Sequence, residues 1–240
     1  MKIIFKNHTL QTLRQKIEKY DLINKILFYY LNIRWRFKNI LNNLTSQFDE
    51  NKRYWINPQK IRYKVMDKNA LKSKSKTKSR ILNGDWDLPE KTKKFSRNLK
   101  YRSFYDHFIL NKDWKETEYY KKVLNSISKG KRKFECLTKE DVIKRLRFLD
   151  KLYLKIKTEG YKSQIELSKQ EGKFVRTGAY TRVRKYGDEI RIAIGRNGNP
   201  LFLGGRHRLI IAQLLKLRSV PVKIQIIHSQ YFNLRNIYKK

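Results

Sequence analysis

The sequence contains only one cysteine, Cys136, in 240 residues. A single thiol excludes an internal disulfide framework and a metal centre built from a cysteine cluster, and it is compatible with a reducing environment. The four histidines do not show the spacing of a zinc site either. A disulfide-stapled domain and a zinc-finger type of module are therefore excluded for this chain.

Long apolar runs are also missing, and no signal peptide is expected from the first residues. The amino terminus, MKIIFKNHTL, has no sustained apolar region followed by a small-residue cleavage site. The most apolar early stretch, ILFYYLNI at 26–33, is too short to span a bilayer, which takes about 20 residues. We therefore expect a cytoplasmic protein without a transmembrane segment, and the sequence leaves its oligomeric state open.

Acidic residues are scarce. Asp and Glu together number 21 against 58 Lys and Arg, which gives a formal net charge of +37. This excess favours a polyanionic partner, either nucleic acid or an anionic membrane surface. A compositional explanation has equal weight, because the abundance of Ile, Lys, Asn and Tyr suggests an AT-rich genome that enriches lysine everywhere. The C-terminal part lacks a carboxylate cluster with two-metal spacing, which argues against nuclease chemistry.

Periodicity and composition divide the chain into three parts. Residues 1–53 are expected to form a basic amphipathic helical extension, which suits an ordinary surface helix and also a membrane or nucleic-acid contact. Residues 54–137 are expected to be mostly helical and aromatic-rich, with a Lys/Ser-rich loop at 68–80. Residues 138–240 form the third part and hold the clearest strand and turn signals.

The middle part predicts two helices that meet near residues 111–113. Asn111 or Asp113 is the expected cap of the second helix, which should end near Gly130. Aromatic residues crowd this part, and their helical spacing favours a packed core over base stacking. These aromatic residues are Tyr101, Phe104, Tyr105, Phe108, Trp114, Tyr119 and Tyr120.

The third part begins with a long predicted helix. Thr138 with Asp141 resembles a capping box at its start, and Gly160 is the expected residue at its end. The segment SQIEL at 163–167 is predicted as a short strand. A loop or hairpin over about 168–187 follows, because this stretch combines glycines with basic residues.

The remainder predicts an α+β fold with a small mixed sheet. Alternating isoleucines indicate a strand at 189–195, and Asn197-Gly198 indicates a hairpin turn into PLFL at 200–203. The turn GGRHR then leads into an apolar helix, and VPVKIQII at 220–227 returns as a third strand. The helix is expected to pack on this sheet, with the N-terminal helices wrapped around it.

The GGRHR turn has the composition of an anion site. The first backbone N–H groups of a helix lack intrahelical partners, and the helix dipole places partial positive charge there. Glycines let the backbone approach a phosphate, arginines bind its oxygens, and a histidine donates a hydrogen bond or transfers a proton. A plain β–α turn with solvated arginines is the alternative. The predicted phosphate-binding residues are Gly204, Gly205, Arg206, His207 and Arg208.

The stretch GDEIRIAIGRNGNPLFLGGRHRLIIAQLLKLRSVPVKI resembles the core of the ParB/sulfiredoxin superfamily. Before it, LDKLYLKIKTEGYKSQIEL is similar to the helix, glycine and glutamine-containing strand that lead into that core. This resemblance covers about 140–228, with an insertion near 168–187. More narrowly, YWINPQKIRY, GDWD, HFILNKDWKETEYY, GYKSQIEL and GGRHRL, in this order, resemble a group of uncharacterised ParB-like proteins of archaea, bacteria and phages over about 54–228.

The resemblance implies triphosphate binding at the turn. In sulfiredoxins the turn reads Gly-Gly-Cys-His-Arg and holds ATP, and its cysteine is the nucleophile. Gly204, Gly205, His207 and Arg208 match that pattern, but Arg206 replaces the nucleophile, so sulfinic-acid reduction is not implied. In ParB proteins the turn Gly-Glu-Arg-Arg binds CTP; Gly205 and Arg208 match it, His207 matches in part, and Arg206 replaces the acidic residue.

The resemblance also extends to superfamily members similar to free-serine kinases, which use a carboxylate and this turn for phosphoryl transfer. The catalytic candidates here are Glu189, Asp188 and His207, although Asp188 and Glu189 also suit a simple turn and strand start. Mg²⁺ is expected to accompany ATP or CTP, because it bridges phosphates and needs only one or two carboxylates. Its protein ligands are not identified, and Asp188, Glu189 and Asp150 are the candidates.

Three functions fit these observations. The leading one is a nucleotide-binding domain that acts as a phosphotransferase or nucleotide hydrolase, with Lys157 and Lys162 as further candidates for phosphate contacts. The second is a DNA- or RNA-binding protein, or a nuclease, in which the turn contacts backbone phosphate. The third is a catalytically silent interaction module. Nucleotide and nucleic acid are thus the expected partners.

Overall fold

The structure of the protein is a computed structural model, which describes residues 52–67, 80–134, 136–171 and 189–232. Three predicted features lie wholly or mainly outside these ranges. They are the amphipathic extension at 1–53, the Lys/Ser-rich loop at 68–80, and the segment at 168–187 together with Asp188.

The described residues form seven strands and five α-helices. The strands are β1 Tyr54–Ile56, β2 Tyr63–Val65, β3 Arg80–Leu82, β4 Thr92–Lys94, β5 Ile190–Ile194, β6 Pro200–Gly204 and β7 Val220–His228. The α-helices are α1 Leu99–Phe108, α2 Glu118–Ser128, α3 Lys139–Glu159, α4 Gln164–Glu171 and α5 Arg206–Leu214. None of these helices is long and apolar enough to cross a membrane.

The strands form one mixed sheet in the order β1-β7-β5-β6-β2-β4, and β3 also pairs with β7. β5 and β6 form an antiparallel hairpin, β5 runs parallel to β7, and β2 runs parallel to β6. The α+β fold predicted from the sequence is therefore confirmed. Because β2 and β6 are parallel, their carboxyl ends lie at the same edge of the sheet, and α5 begins at that edge.

Two local predictions in the third part of the chain are confirmed. The β5–β6 hairpin turns at Gly198, which has a φ of +76°. Helix α3 begins with a capping box, in which the side chains of Thr138 and Asp141 each accept a hydrogen bond from the other's backbone N–H. The helix ends at Gly160, which also has a φ of +76°.

The predicted strand at 163–167 is wrong, because this segment begins helix α4. Oγ of Ser163 accepts a hydrogen bond from the N–H of Glu166, and the carboxylate of Glu166 accepts one from the N–H of Ser163. This reciprocal pair is a capping box, which satisfies backbone donors at a helix N-terminus. The S-x-x-E spacing in the sequence thus outweighs the short apolar pattern that suggested a strand.

The predicted cap of the second helix in the middle part is also wrong. Thr117 caps α2, because its side chain accepts a hydrogen bond from a backbone N–H of the first turn. Asp113 instead caps a separate 3₁₀ turn at 114–116, and Asn111 precedes that turn with a φ of +56°. The extra turn places the true cap four residues after Asp113. Gly130, with a φ of +67°, follows the helix end as expected.

The main core lies between the sheet and the helices, and aromatic residues of the middle part contribute much of it. This confirms the prediction of an aromatic core, although Tyr105 remains 44% exposed. The fully or nearly buried members are Phe104, Trp114, Tyr119 and Tyr120. A second, smaller cluster includes Val65, Trp86, Ala193, Leu201 and Ile226.

Replacing Gly205 by alanine should destabilise the protein more than replacing Gly160. Both glycines have a positive φ, but a Cβ at Gly205 would lie 2.7 Å from Cα of Ile190, while a Cβ at Gly160 meets nothing within 4 Å. We expect losses in the free energy of unfolding of about 2–4 kcal/mol for G205A and about 1 kcal/mol for G160A. Urea denaturation followed by circular dichroism measures both, and equal losses would contradict the close packing of Gly205.

Candidate functional site

Gly205 shapes the turn between β6 and α5. It is the N-cap of α5 and has a left-handed backbone conformation, with a φ of +79° and a ψ of +37°. A Cβ at this position would lie 2.8 Å from the carbonyl oxygen of Glu189, so a larger residue does not fit. The turn therefore presses the N-terminus of α5 against the start of β5.

Gly204 makes room for an arginine of the sheet. A Cβ at Gly204 would lie 2.5 Å from Nη2 of Arg191, whose guanidinium packs against this glycine. Nη1 of Arg191 donates a hydrogen bond to Oε1 of Gln225 at 3.3 Å. The two glycines predicted to bind phosphate are hence both in close contact with other parts of the chain.

Arg208 forms a buried ion pair with Glu189. The two side chains are 3% and 1% exposed, and Nη1 of Arg208 donates to Oε2 of Glu189 at 3.3 Å. Nη2 of Arg208 donates to the carbonyl oxygen of Lys162, and the guanidinium lies over the ring of Tyr161, 4.2 Å from its centroid. Burial raises the pKa of Glu189, and the charge of Arg208 opposes that rise. The structure thus joins two predicted site residues to each other.

His207 is buried beside Lys100. Its Nε2 lies 3.1 Å from Nζ of Lys100, and its ring stacks on Phe104 with 5.8 Å between centroids. Burial, reinforced by the charge of Lys100, lowers the pKa of His207 well below its usual value. Burial and the charge of Arg145 likewise lower the pKa of Lys100. The imidazole is therefore neutral at neutral pH, which leaves it without the positive charge expected of a phosphate contact.

Lys64 in β2 lies among other cations. It is directly opposite Lys93 in β4. Burial, then the charge of Arg206, the first residue of α5, and then the charge of Lys93, lowers the pKa of Lys64. The neighbouring cations therefore disfavour the charge of Lys64.

A cleft of about 230 Å³ opens beside Lys64 and Lys93, at the N-terminus of α1. We call it the basic cleft. Asn98 caps α1 there and accepts a hydrogen bond from the N–H of Lys100 at 3.0 Å. Among the described lining residues four are cationic and none is acidic. The lining residues are Lys64, Met66, Lys93, Lys94, Phe95, Arg97, Asn98 and Leu99.

A larger cavity of about 450 Å³ lies at the other end of β6, beside the β5–β6 turn, and we call it the hairpin cavity. Arg196 borders it and binds two aspartates, with Nη2 at 2.8 Å from Oδ1 of Asp85 and 2.9 Å from Oδ1 of Asp87. Burial acts to raise the pKa of Asp87, but the hydrogen bonds and charge of Arg196 outweigh it and lower that pKa. The polar lining also includes Lys60, Arg62, Tyr63, Thr92, Asn197 and Asn199.

His228 lies near this aspartate pair rather than near the GGRHR turn. Its Nε2 donates to the carbonyl oxygen of Gly84 at 2.9 Å, and its Nδ1 accepts from the N–H of Gln230 at 3.2 Å. Both ring nitrogens are thus engaged with the backbone, which fits a structural role for this imidazole. The sequence analysis did not identify the pairing of Arg196 with the two aspartates of GDWD, which were the available signal for it.

Two further predicted residues have partners elsewhere, and a third, Lys157, is exposed on α3. Oδ1 of Asp150 accepts from Nε1 of Trp114 at 2.8 Å and lies 3.2 Å from Nε2 of His107. Nζ of Lys162 donates to Glu159 at 3.0 Å. Within the described ranges, no group of three or more His, Cys, Asp or Glu residues is placed to hold a metal ion. The Mg²⁺ expected with a nucleotide stays a prediction.

Comparison with models of known protein families, with curated proteins and with solved structures finds no match for this chain. The function is therefore inferred from the chemistry of the places described above. Of these, the basic cleft concentrates positive charge, the hairpin cavity combines cations with polar groups, and the Arg208–Glu189 pair is closed to solvent.

Replacing Lys100 by methionine should stabilise the protein at neutral pH. The buried amine has a pKa well below 10.5, so the unfolded chain binds its proton more tightly than the folded protein. Wild-type stability therefore rises with pH between these two pKa values, by at most about 1.4 kcal/mol per pH unit for one proton. The advantage of K100M should shrink over this range.

Urea denaturation at several pH values between about 6 and 9.5 measures this difference. Lys122→Met changes an exposed lysine of α2 and should leave the pH dependence of stability unchanged. A K100M protein that is less stable than the wild type at every pH would mean that the amine makes a net favourable interaction when charged.

Proposed function

We propose that the protein binds a nucleotide through its phosphate groups in the basic cleft. The observation that carries this proposal is the convergence of cations in this cleft, where Lys64 lies directly opposite Lys93 and no carboxylate is found among the described lining residues. Like charges placed this close are unfavourable in the empty protein. A bound phosphate, with up to two negative charges, removes that repulsion and gains charge-assisted hydrogen bonds.

The position of the cleft also supports a phosphate ligand. It lies beside β2 and β4 at the N-terminus of α1, where Asn98 and Leu99 line it. A helix N-terminus favours negative charge. Phe95 and Leu99 supply an apolar wall that suits a base or ribose.

The proposal keeps nucleotide binding from the ParB/sulfiredoxin resemblance but assigns different residues to it. Lys64 and Lys93 are the proposed phosphate contacts, whereas Arg208 and Glu189 of the predicted site neutralise each other. His207 is buried and has a strongly lowered pKa, so it does not contribute a charge. Three further predictions depend on this binding step. They are the choice between ATP and CTP, the accompanying Mg²⁺, and the transfer or hydrolysis of a phosphoryl group.

A second candidate function is binding of single-stranded nucleic acid. The net charge of +37 favours it, and Lys60 and Arg62 add two more cations at the hairpin cavity. Tyr63 lies between Arg62 and Lys64 along β2 and is 43% exposed, so its ring is open to a base. Cations that track a backbone and an aromatic ring that stacks on bases are typical of such sites.

Nucleotide binding is tested by calorimetry with ATP, CTP, pyrophosphate and adenosine, each with Mg²⁺. We expect the phosphorylated ligands to bind and adenosine to bind weakly, because the charge recognition lies in the phosphates. Lys64→Ala and Lys93→Ala should each weaken ATP binding about tenfold, which corresponds to about 1.4 kcal/mol. Lys144→Ala, at an exposed position of α3, is the matched control and should bind as the wild type does. If the wild type and all three variants bind ATP with equal affinity, the basic cleft is not the nucleotide site.

Nucleic-acid binding is tested by fluorescence anisotropy with a labelled single-stranded oligonucleotide over a range of KCl concentrations. The slope of log affinity against log salt should become less steep by about 1.4 in the double variant K60A/R62A, because two phosphate contacts are lost. Y63A should weaken single-strand binding while leaving that slope unchanged. If the double variant keeps the full slope, β2 is not the path of the strand.

A further inference from the structure

Lys100 and His207 form a buried pair of basic side chains that joins α1 to α5. The two residues are 3% and 8% exposed, and Nζ of Lys100 lies 3.1 Å from Nε2 of His207. A hydrogen bond between two nitrogen atoms requires that one of them accepts with a lone pair, and neither an ammonium group nor a ring N–H offers one. The contact therefore exists only while the pair carries fewer protons than an exposed lysine and an exposed histidine can bind.

The surroundings of this pair are positively charged. Burial, then the charges of Arg145 and Arg206, lower the pKa of Lys100, and the Cys136 thiol acts in the opposite direction. Burial, then the charges of Lys100, Arg145 and Arg206, lower the pKa of His207. No carboxylate of the described residues is among the charges that act on either group. A negative charge brought close to the pair would therefore help it to bind a further proton.

Aromatic rings complete the surroundings of the pair. Nζ of Lys100 lies 4.0 Å from the ring centroid of Phe134 and 5.2 Å from that of Tyr119 in α2, and the ring of Phe104 stacks on His207. The face of an aromatic ring attracts a cation. The rings thus favour the protonated amine once the repulsion from the neighbouring cations is offset.

The pair and the basic cleft share the N-terminus of α1. Asn98 and Leu99 line the cleft, and Oδ1 of Asn98 accepts a hydrogen bond from the N–H of Lys100 at 3.0 Å. The charge of Arg206 lowers both the pKa of Lys64 in the cleft and the pKa of Lys100 in the pair. One charge in this region therefore acts on both places. A phosphate bound in the cleft acts on the pair in the same way but with the opposite sign.

We infer that phosphate binding in the basic cleft makes the Lys100–His207 pair take up a proton. This inference rests on the proposed nucleotide binding and adds a regulation of that same site by pH. Because linkage is reciprocal, a proton on the pair strengthens phosphate binding by the same factor by which phosphate strengthens proton binding. The affinity for a nucleotide should therefore rise as the pH falls through the range in which the pair titrates.

Calorimetry of the full chain with ATP and Mg²⁺ counts the protons. The titration is done at several pH values between about 7.5 and 9, in two buffers with different enthalpies of ionisation, and the difference between the two observed enthalpies gives the proton uptake per bound ATP. In this range the phosphates of ATP are fully ionised, because the last pKa of such groups lies near 6. We expect K100M to take up about half a proton less than the wild type at the pH where the wild-type uptake is largest. The affinity of K100M for ATP should also depend less steeply on pH.

Lys122→Met, at an exposed position of α2, is the matched control and should take up as many protons as the wild type. Lys64 also titrates in the cleft, but it is present in all three proteins and does not account for a difference between them. ATP binding with equal proton uptake by the wild type and K100M would overturn the coupling and leave nucleotide binding intact. Absence of proton uptake by the wild type would overturn it without the variant. If the folded wild type does not bind ATP, the proposed function is refuted and the coupling with it.

Discussion

The buried ion pair between Arg208 and Glu189 holds the GGRHR turn in place. It joins the first turn of α5 to the start of β5, and Oε1 of Glu189 extends the link by accepting from the backbone N–H of Gln164 in α4 at 2.7 Å. Removing one partner of such a pair leaves an uncompensated buried charge, which costs about 3–5 kcal/mol. Arg208, which the sequence alone suggests as a ligand contact, therefore stabilises the geometry of the turn.

Because Glu189 neutralises Arg208 inside the protein, that arginine offers no charge to a ligand at the turn. Carboxylates are few in the sequence, and none is found among the described residues that line the basic cleft. In that cleft Lys64 and Lys93 lie opposite each other on two neighbouring strands. Burying cations beside one another costs free energy in the empty protein. That cost is the physical reason for assigning a phosphate to this edge of the sheet.

Much of the C-terminal third could be predicted, because its signals are local. Asn197-Gly198 fixes a hairpin, Thr138 caps a helix, and alternating isoleucines place β5. The first four strands escaped prediction, since each has three residues and too little periodicity. In addition, β1, β2 and β3 pair with strands more than a hundred positions away. The inward orientation of the Arg208 side chain could not be predicted either. It depends on the buried carboxylate of Glu189, whose position is not evident from the sequence around the turn.

The sheet also constrains how the chain can acquire its structure during synthesis. β7 is the last of the described strands to be made, and it pairs with β1, β3 and β5, all of which precede it. Until residues 220–228 leave the ribosome, these three strands have open edges that are prone to intermolecular pairing. Completion of the described sheet is therefore delayed until β7 has been translated, and a nascent chain that stops before Val220 lacks the strand on which three others are assembled.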